Sequence, residues 1–214
     1  MKDLHNFSNF CRKIVCVGRN FVDHALELNN PLPSVPLIFL KPPSSIIKEG
    51  SLIKIPPKCN TLHHEVELGV VIAEEGSNIT INNAFNYIGG YVLALDMTAR
   101  DFQEEIKAKS HPWFLAKCWD TFCPISEFIP KSKIVNPENL ELWLEVNNCL
   151  KQSGNTKNMI FGISQIVSYV SKVTTLEKGD LILMGTPHGV GPVKSGEVID
   201  CGIKNVTKKK FFVE

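Results

Sequence analysis

The sequence predicts a mostly β, α+β domain, and three observations predict it. Short apolar runs with strand-like character recur along the chain, fenced by Gly, Pro, Asn or Asp. Only two stretches carry helical character, and strands and helices do not alternate as βαβ units would require. The runs lie at 13–17, 66–73, 88–95, 140–146, 181–184, 198–201 and 211–213, rich in the Val, Ile, Leu and Phe that pack on a pleated surface. Residues 98–109 read as a helix because Glu, Lys, Ala and Gln dominate them. Residues 164–173 read as another, with Ile166, Val167, Val170 and Val173 on one stripe behind Ser164 as its cap. The Pro-rich segments at 29–36, 41–45 and 56–60 read as loops, because proline withholds a backbone donor.

A chain of 214 residues, 43% hydrophobic and 21% charged, is long enough to bury a core of its own. No Pro/Gly/Ser-rich linker divides it, so 1–214 is read as a single domain. The charge balance, 23 basic against 22 acidic residues, argues against a partner held through phosphates, and Lys208-Lys209-Lys210 reads as a solvated edge. The apolar runs, such as LIFL at 37–40, fall far short of the roughly 20 residues a membrane helix needs. The N-terminal MKDLHNFSNFCRK shows neither an apolar signal core nor a clear Arg/Ser-rich transit pattern. The expectation is an intracellular chain, cytoplasmic or mitochondrial, with no nucleic acid and no membrane as partner. The 7 cysteines are scattered without a Cys-x-x-Cys pair, which favours free thiols over disulfides or zinc.

The segment LHHEVELGVV at 62–71 carries the strongest chemical signal. On a strand, His63, Glu65 and Glu67 project from one face while His64, Val66 and Leu68 take the other. Adjacent carboxylates raise each other's pKa unless a cation neutralises them, which a hard divalent ion does well. The competing reading is an exposed acidic strand face. A helical zinc-protease motif is excluded, since four residues beyond His64 stands Leu68. In GGYVLALDMTARD at 89–101, alternation puts Val92, Ala94 and Asp96 together, with Asp96 where strand gives way to helix. Asp96 is then either a helix N-cap or a third oxygen ligand beside Glu65 and Glu67, a set that favours Mg²⁺ or Mn²⁺. A helix beginning at Asp96 would turn Arg100 and Gln103 toward the ligands, and arginine suits bidentate recognition of a carboxylate.

Two further constellations are weaker. In GRNFVDHALELNN at 18–30, His24 and Glu27 are neighbours on a helical turn, a spacing that suits proton transfer but is common on solvated helices. In DLILMGTPHGVGP at 180–192, a strand runs into a Gly-rich turn that could present Thr186 and backbone N–H groups to an anion, or could be a tight turn only.

Taken in order, GRNFVDH, FLKPPSS, LHHEVELGVV, GGYVLALDMTARD, FLAKCWDTFCP, WLEVNNCL, MIFGISQIVSYVS and GTPHGVGPV resemble the fumarylacetoacetate hydrolase (FAH) superfamily. The chain is most similar to its small acylpyruvase and oxaloacetate decarboxylase members, and the resemblance runs from about Ile14 to Ile203. It implies a mixed β-roll, a sandwich or incomplete barrel with short peripheral helices, and a homodimer. It implies one Mg²⁺ or Mn²⁺ held by Glu65, Glu67 and Asp96. It also implies a lid over about 18–31 carrying His24 and Glu27 as the catalytic dyad, with Lys117 as a third catalytic group. Arg100, Gln103 and Thr186 are implied as pocket residues, and Lys41 and Ser44 match a nearby pocket-lining motif. His188 stands where close relatives often carry lysine, and the tail is more lysine-rich than the family pattern.

The activity implied is cleavage of a carbon–carbon bond in short 2,4-dioxo or 2-oxo dicarboxylic acids through a pyruvate enolate, by acylpyruvate hydrolysis or oxaloacetate decarboxylation. The alternative is a tautomerase or isomerase of oxaloacetate or of 2-hydroxy-dienoates. Two other classes compete: a metal-dependent nuclease, against which the balanced charge argues, and a non-catalytic binding module, which the conjunction of His24, Glu27, Lys117 and three carboxylates weakens.

Overall fold

A computed structural model of the chain describes residues 3–23 and 32–214. In chain order the strands are β1 (Ile14–Gly18), β2 (Leu37–Lys41), β3 (Ile46–Lys48), β4 (Leu52–Ile53), β5 (Leu62–His64), β6 (Val66–Ile72), β7 (Ile88–Leu95) and β8 (Thr98–Ala99). Helices α1 (Arg100–Ala108) and α2 (Phe114–Lys117) follow, then β9 (Cys123–Ile125), β10 (Ile129–Pro130), β11 (Glu141–Val146) and β12 (Cys149–Asn155). Helix α3 (Ile163–Val173) precedes β13 (Leu181–Leu183), β14 (Gly191–Val193), β15 (Val198–Ile203) and β16 (Thr207–Val213). The fold is α+β and predominantly β, a curled half-barrel with few short helices, as the sequence led us to expect.

The main sheet is 8-stranded, in the order β2-β1-β13-β6-β7-β9-β3, with β10 on β7. A 5-stranded sheet runs β12-β11-β15-β16-β4, and a 3-stranded one β14-β5-β8. The pairs β1/β13, β3/β9 and β4/β16 are parallel and the others antiparallel, so the sheets are mixed. Alternation sorts the main sheet into two apolar faces. Val66, Leu68, Val70, Tyr91, Leu93 and Leu95 join the larger core cluster, while Val71, Val92 and Ala94 join the smaller one. Glu67 pairs with Ala94 across β6 and β7, so both Glu67 and Asp96 extend the row that faces the smaller cluster.

Three local expectations need correction. Strand β2 reads in sequence as a bare apolar run, and β12 (CLKQSGN) is too polar to announce itself. Helix α3 starts one residue earlier than Ser164: Gly162 is its N-cap, with Gln165 Oε1 accepting from Gly162 N at 2.8 Å and Glu138 Oε1 accepting from Ile163 N at 3.2 Å. Val173 is 75% exposed and leaves the stripe, whose buried members are Ile163, Ile166, Val167 and Val170. Helix α1 starts at Arg100, with Ala99 as N-cap, so Asp96 does not cap it. The cysteines are free thiols; Cys11, Cys16, Cys123 and Cys201 are buried, but Cys149 is exposed.

Candidate metal and active site

The segment 62–72 is not one strand. It breaks at Glu65, with β5 pairing into the small sheet and β6 into the main one. At the break, Glu65 O accepts from Asp96 N at 2.8 Å, and Val66 N donates to the Gln152 side chain at 3.0 Å. Backbone groups that lose a ladder partner are thus satisfied by Asp96 and by a residue of another sheet. The bend turns Glu65 toward Glu67 and Asp96, and carboxylate oxygens of all three lie within 4.8 Å of one another, all three residues buried.

Burial first, and then the charges of Asp96 and Glu65, push the Glu67 carboxyl well above its ordinary range. Its Oε2 accepts a hydrogen bond from Gly185 N at 2.6 Å. The φ of Gly185 is +96°, and a Cβ there would stand 2.8 Å from that of Asn20, so glycine is required where the turn after β13 approaches the site.

Two buried lysines answer the acids. Lys117, the last residue of α2, donates from Nζ to Asp96 Oδ2 at 2.6 Å, Glu65 Oε2 at 2.9 Å and Thr98 Oγ1 at 2.6 Å. Burial alone would lower its pKa, but Asp96 and Glu65 outweigh that and hold it above its usual value, so it is an ammonium. Lys41, whose side chain is 0% exposed, lies 2.8 Å from Asp96 Oδ1 and donates to Met97 O at 3.0 Å and Lys117 O at 2.6 Å. It therefore sits behind Asp96 and not on the pocket wall. Ser44 is exposed on the short 3-10 turn Pro43–Ser45 and does not line the recess.

Arg100 NH2 pairs with Glu65 Oε1 and NH1 with Gln103 Oε1, each at 2.5 Å. Its Nε donates to His63 Nδ1 at 3.3 Å, which fits a neutral His63, whose pKa burial and then Arg100 lower to about 4. Thr186 Oγ1 donates to Val66 O at 2.9 Å and accepts from Gln152 Nε2 at 2.8 Å. One recess is lined by Glu65, Glu67, Asp96, Arg100, Gln103, Lys117 and Thr186, with Phe39 and Trp113 among its apolar walls. His24 and Glu27, and most of the lid segment, lie outside the described residues.

A buried set of oxygen donors at this separation fits a hard divalent cation such as Mg²⁺ or Mn²⁺, and among the described residues no other His/Cys/Asp/Glu cluster of this kind occurs. Sequence reasoning missed Arg19, Lys107, Trp113 and Phe39, which share the recess, and Gln152, which lies behind it. Arg19 stands inside the motif GRNFVDH, whereas Gln152 left no signal because its partners come from other sheets.

Residues 13–213 match the family described as fumarylacetoacetate (FAA) hydrolase C-terminal. The chain is 54% identical over 94% of its length to "Oxaloacetate decarboxylase, mitochondrial" of Dictyostelium discoideum, covering 92% of that protein. It is 51% identical over 100% of its length to "Oxaloacetate tautomerase FAHD1, mitochondrial" of Mus musculus, covering 96% of it. Among solved structures, a Pseudomonas aeruginosa fumarylpyruvate hydrolase in complex with Mn²⁺ and pyruvate superposes with a TM-score of 0.90 at 31% identity, over 95% of this chain and 91% of that one.

Proposed function

Because the chain belongs to the fumarylacetoacetate hydrolase family, we propose that it is a divalent-metal-dependent enzyme acting on oxaloacetate and related short 2-oxo acids through an enolate. The observation that carries this reading is the convergence of Glu65, Glu67 and Asp96 beside the ammonium of Lys117 in one buried recess. Mg²⁺ or Mn²⁺ held by the three carboxylates would supply Lewis-acid charge for a developing enolate oxygen. Lys117, kept protonated, sets a positive charge beside developing negative charge and does not act as a base. Arg100, aimed into the recess and steadied by Glu65 and Gln103, orients an acidic substrate. Phe39 and Trp113 keep water away from the reacting carbon.

The resemblance gives proton transfer to His24 and Glu27, as a pair that moves a proton at the carbon between the carbonyl groups or activates water. Acyl cleavage and loss of CO₂ both leave the pyruvate enolate, whereas keto–enol proton transfer passes through the enolate of oxaloacetate itself; in each case the negative charge develops on the 2-oxygen. Hydrolysis of acylpyruvates and decarboxylation of oxaloacetate are the first reading. Tautomerisation of oxaloacetate is the second, favoured by the name of the mouse relative.

The test is a parallel assay of oxaloacetate keto–enol conversion, CO₂ release and acetylpyruvate hydrolysis, on protein stripped with EDTA and reloaded with Mg²⁺ or Mn²⁺. Stripping or Glu65→Ala abolishes all three; full activity in excess EDTA would remove the metal from the reading. Failure to turn over any 2-oxo acid would remove the substrate class. Glu27→Gln cripples proton transfer while metal affinity stays near wild type.

A homodimer is part of the same proposal, supported by exposed Leu40 and Phe114 on the walls of a groove and checked by sedimentation. So is a mitochondrial location, supported by the relatives' names and checked by fractionation. Among the described residues no helix is long and apolar enough to cross a membrane.

A further inference from the structure

We propose that Arg19 and Lys107 form a binding site for the distal carboxylate of the substrate, so that dicarboxylic 2-oxo acids are preferred over acylpyruvates with an uncharged tail. The assignment rests on the reading above, in which the other end of a 2-oxo acid is held at Glu65, Glu67 and Asp96.

Arg19 follows β1 and Lys107 lies in the last turn of α1, and both line the recess that contains the three carboxylates. Arg100, Gln103 and Lys107 stand at i, i+3 and i+7, so one helix face runs from the acidic cluster to Lys107. Unlike Lys117 and Arg100, which are tied to Glu65, the side chains of Arg19 and Lys107 make no ion pair or hydrogen bond among the described residues. Arg19 and Lys107 face one recess with no ion-pair partner of their own among the described residues and repel each other; burial, then Arg19 and Arg100, lower the pKa of Lys107 against a smaller opposing effect of Glu104. An anion bound between them relieves that repulsion.

The backbone at Arg19 points the same way. Its φ is +57°, in the left-handed region where a side chain is disfavoured and glycine is at ease. The turn is clamped by the next residue: buried Asn20 donates from Nδ2 to Phe161 O at 3.0 Å and Met184 O at 2.8 Å, and accepts from Phe161 N at 2.8 Å. A strained position that nevertheless carries a guanidinium aimed into a cavity is the form functional strain takes.

The site also biases the reaction. Loss of CO₂ from oxaloacetate breaks the C3–C4 bond, sends its electron pair into the enolate and turns the distal carboxylate into a neutral molecule. Binding that carboxylate stabilises the ground state more than this transition state. Keto–enol exchange moves a proton between C3 and the 2-oxygen and leaves both carboxylates charged, so the same contacts persist throughout.

The experiment uses Arg19→Gly and Lys107→Met in the Mg²⁺-loaded full chain. Arg19→Gly removes the cation while relaxing the backbone, so its Tm is no lower than wild type and lost activity is not lost fold. For each variant, kcat/KM for oxaloacetate tautomerisation falls by at least about tenfold more than kcat/KM for acetylpyruvate, the size of one charge-assisted contact. The ratio of CO₂ release to tautomerisation rises. Oxalate, which has no distal group, inhibits variants and wild type equally. Equal losses on both substrates, no loss on oxaloacetate, or weakened oxalate inhibition would overturn the assignment. A wild-type chain inactive on both substrates would instead overturn the proposed function, and this assignment with it.

Discussion

Lysine–carboxylate pairs appear in this chain under two opposite conditions. Lys41 and Lys117 meet Asp96 and Glu65 with side chains between 0% and 7% exposed, at 2.6 to 2.9 Å. Along β16, Lys208 and Lys210 reach Asp200 at 3.3 and 3.6 Å, while Lys209 reaches Glu127 and Glu49 at 2.7 and 2.9 Å, with Glu127 71% exposed. The distances overlap, but the energetics do not. Along β16 every pair keeps one partner in water, since Lys208, Lys210 and Glu127 are half or more exposed and Glu49 is 43% exposed, whereas in the recess both partners are buried, so removing one leaves an uncompensated buried ion. Identical pairs are thus decoration in one place and a constraint in the other.

The largest break in the comparison is Lys41→Met. It strips Asp96 of its rear cation and leaves Met97 O and Lys117 O without their donor. Metal-free protein should lose about 3–5 kcal/mol in urea unfolding, and Mn²⁺ should recover part of that. A loss below about 1 kcal/mol would place this pair with the surface ones.

Gln152→Leu comes next. One buried carboxamide accepts from His64 Nδ1 at 2.9 Å and Val66 N at 3.0 Å, and donates to Thr186 Oγ1 at 2.8 Å and Pro187 O at 2.9 Å. Because Val66 N can only donate and Pro187 O only accept, the amide orientation and the His64 tautomer are both fixed. The variant should cost about 2–4 kcal/mol from unsatisfied buried groups. Mn²⁺ affinity measured by calorimetry should fall too, since Val66 lies between Glu65 and Glu67. Unchanged affinity would confine Gln152 to stability.

These two residues mark where sequence reasoning stops. Period-2 alternation was enough to assign Glu67 and Asp96 each to a face of its own strand, because side-chain direction is a local property, whereas the β6/β7 pairing that sets them on one side is not. The break at Glu65 was not legible, since it depends on β5 and β6 finding partners in different sheets. The resemblance brought Lys41 forward as a pocket residue, yet its burial behind Asp96 follows from β2 pairing with β1, which no local pattern announces. Gln152 sits on a polar strand 88 residues from His64, and a lone buried position in such a strand leaves no periodic trace.

The pH dependences should differ in sign. Burial, then Asp96 and Glu65, raise the Glu67 pKa in the folded chain. A raised folded value means that Glu67's contribution is complete below the unfolded value of about 4.3 and is lost as pH rises through the folded one. Metal-free protein should therefore become less stable as pH rises above about 4.3 in denaturant titrations, and saturating Mn²⁺ should flatten that slope by holding the carboxylate ionised. A metal-free chain that gained stability over this range would mean that Lys117 overrides the like charges.

Glu49 and Glu127 should behave in reverse and weakly. The hydrogen bond from Lys209 holds both carboxyls below their ordinary range. A lowered folded value means stability that is present above about pH 4.3 and lost as pH falls through the folded value. Lys209→Ala should cost under about 1 kcal/mol at pH 7, less in high salt and nothing once both carboxylates are protonated, because exposed partners remain solvated once the ammonium is gone. A loss above about 2 kcal/mol that resists salt would mean that the shielded Lys209 ammonium, 12% exposed, behaves like the recess lysines, and the boundary between the two groups would then follow the burial of the cation rather than that of the pair.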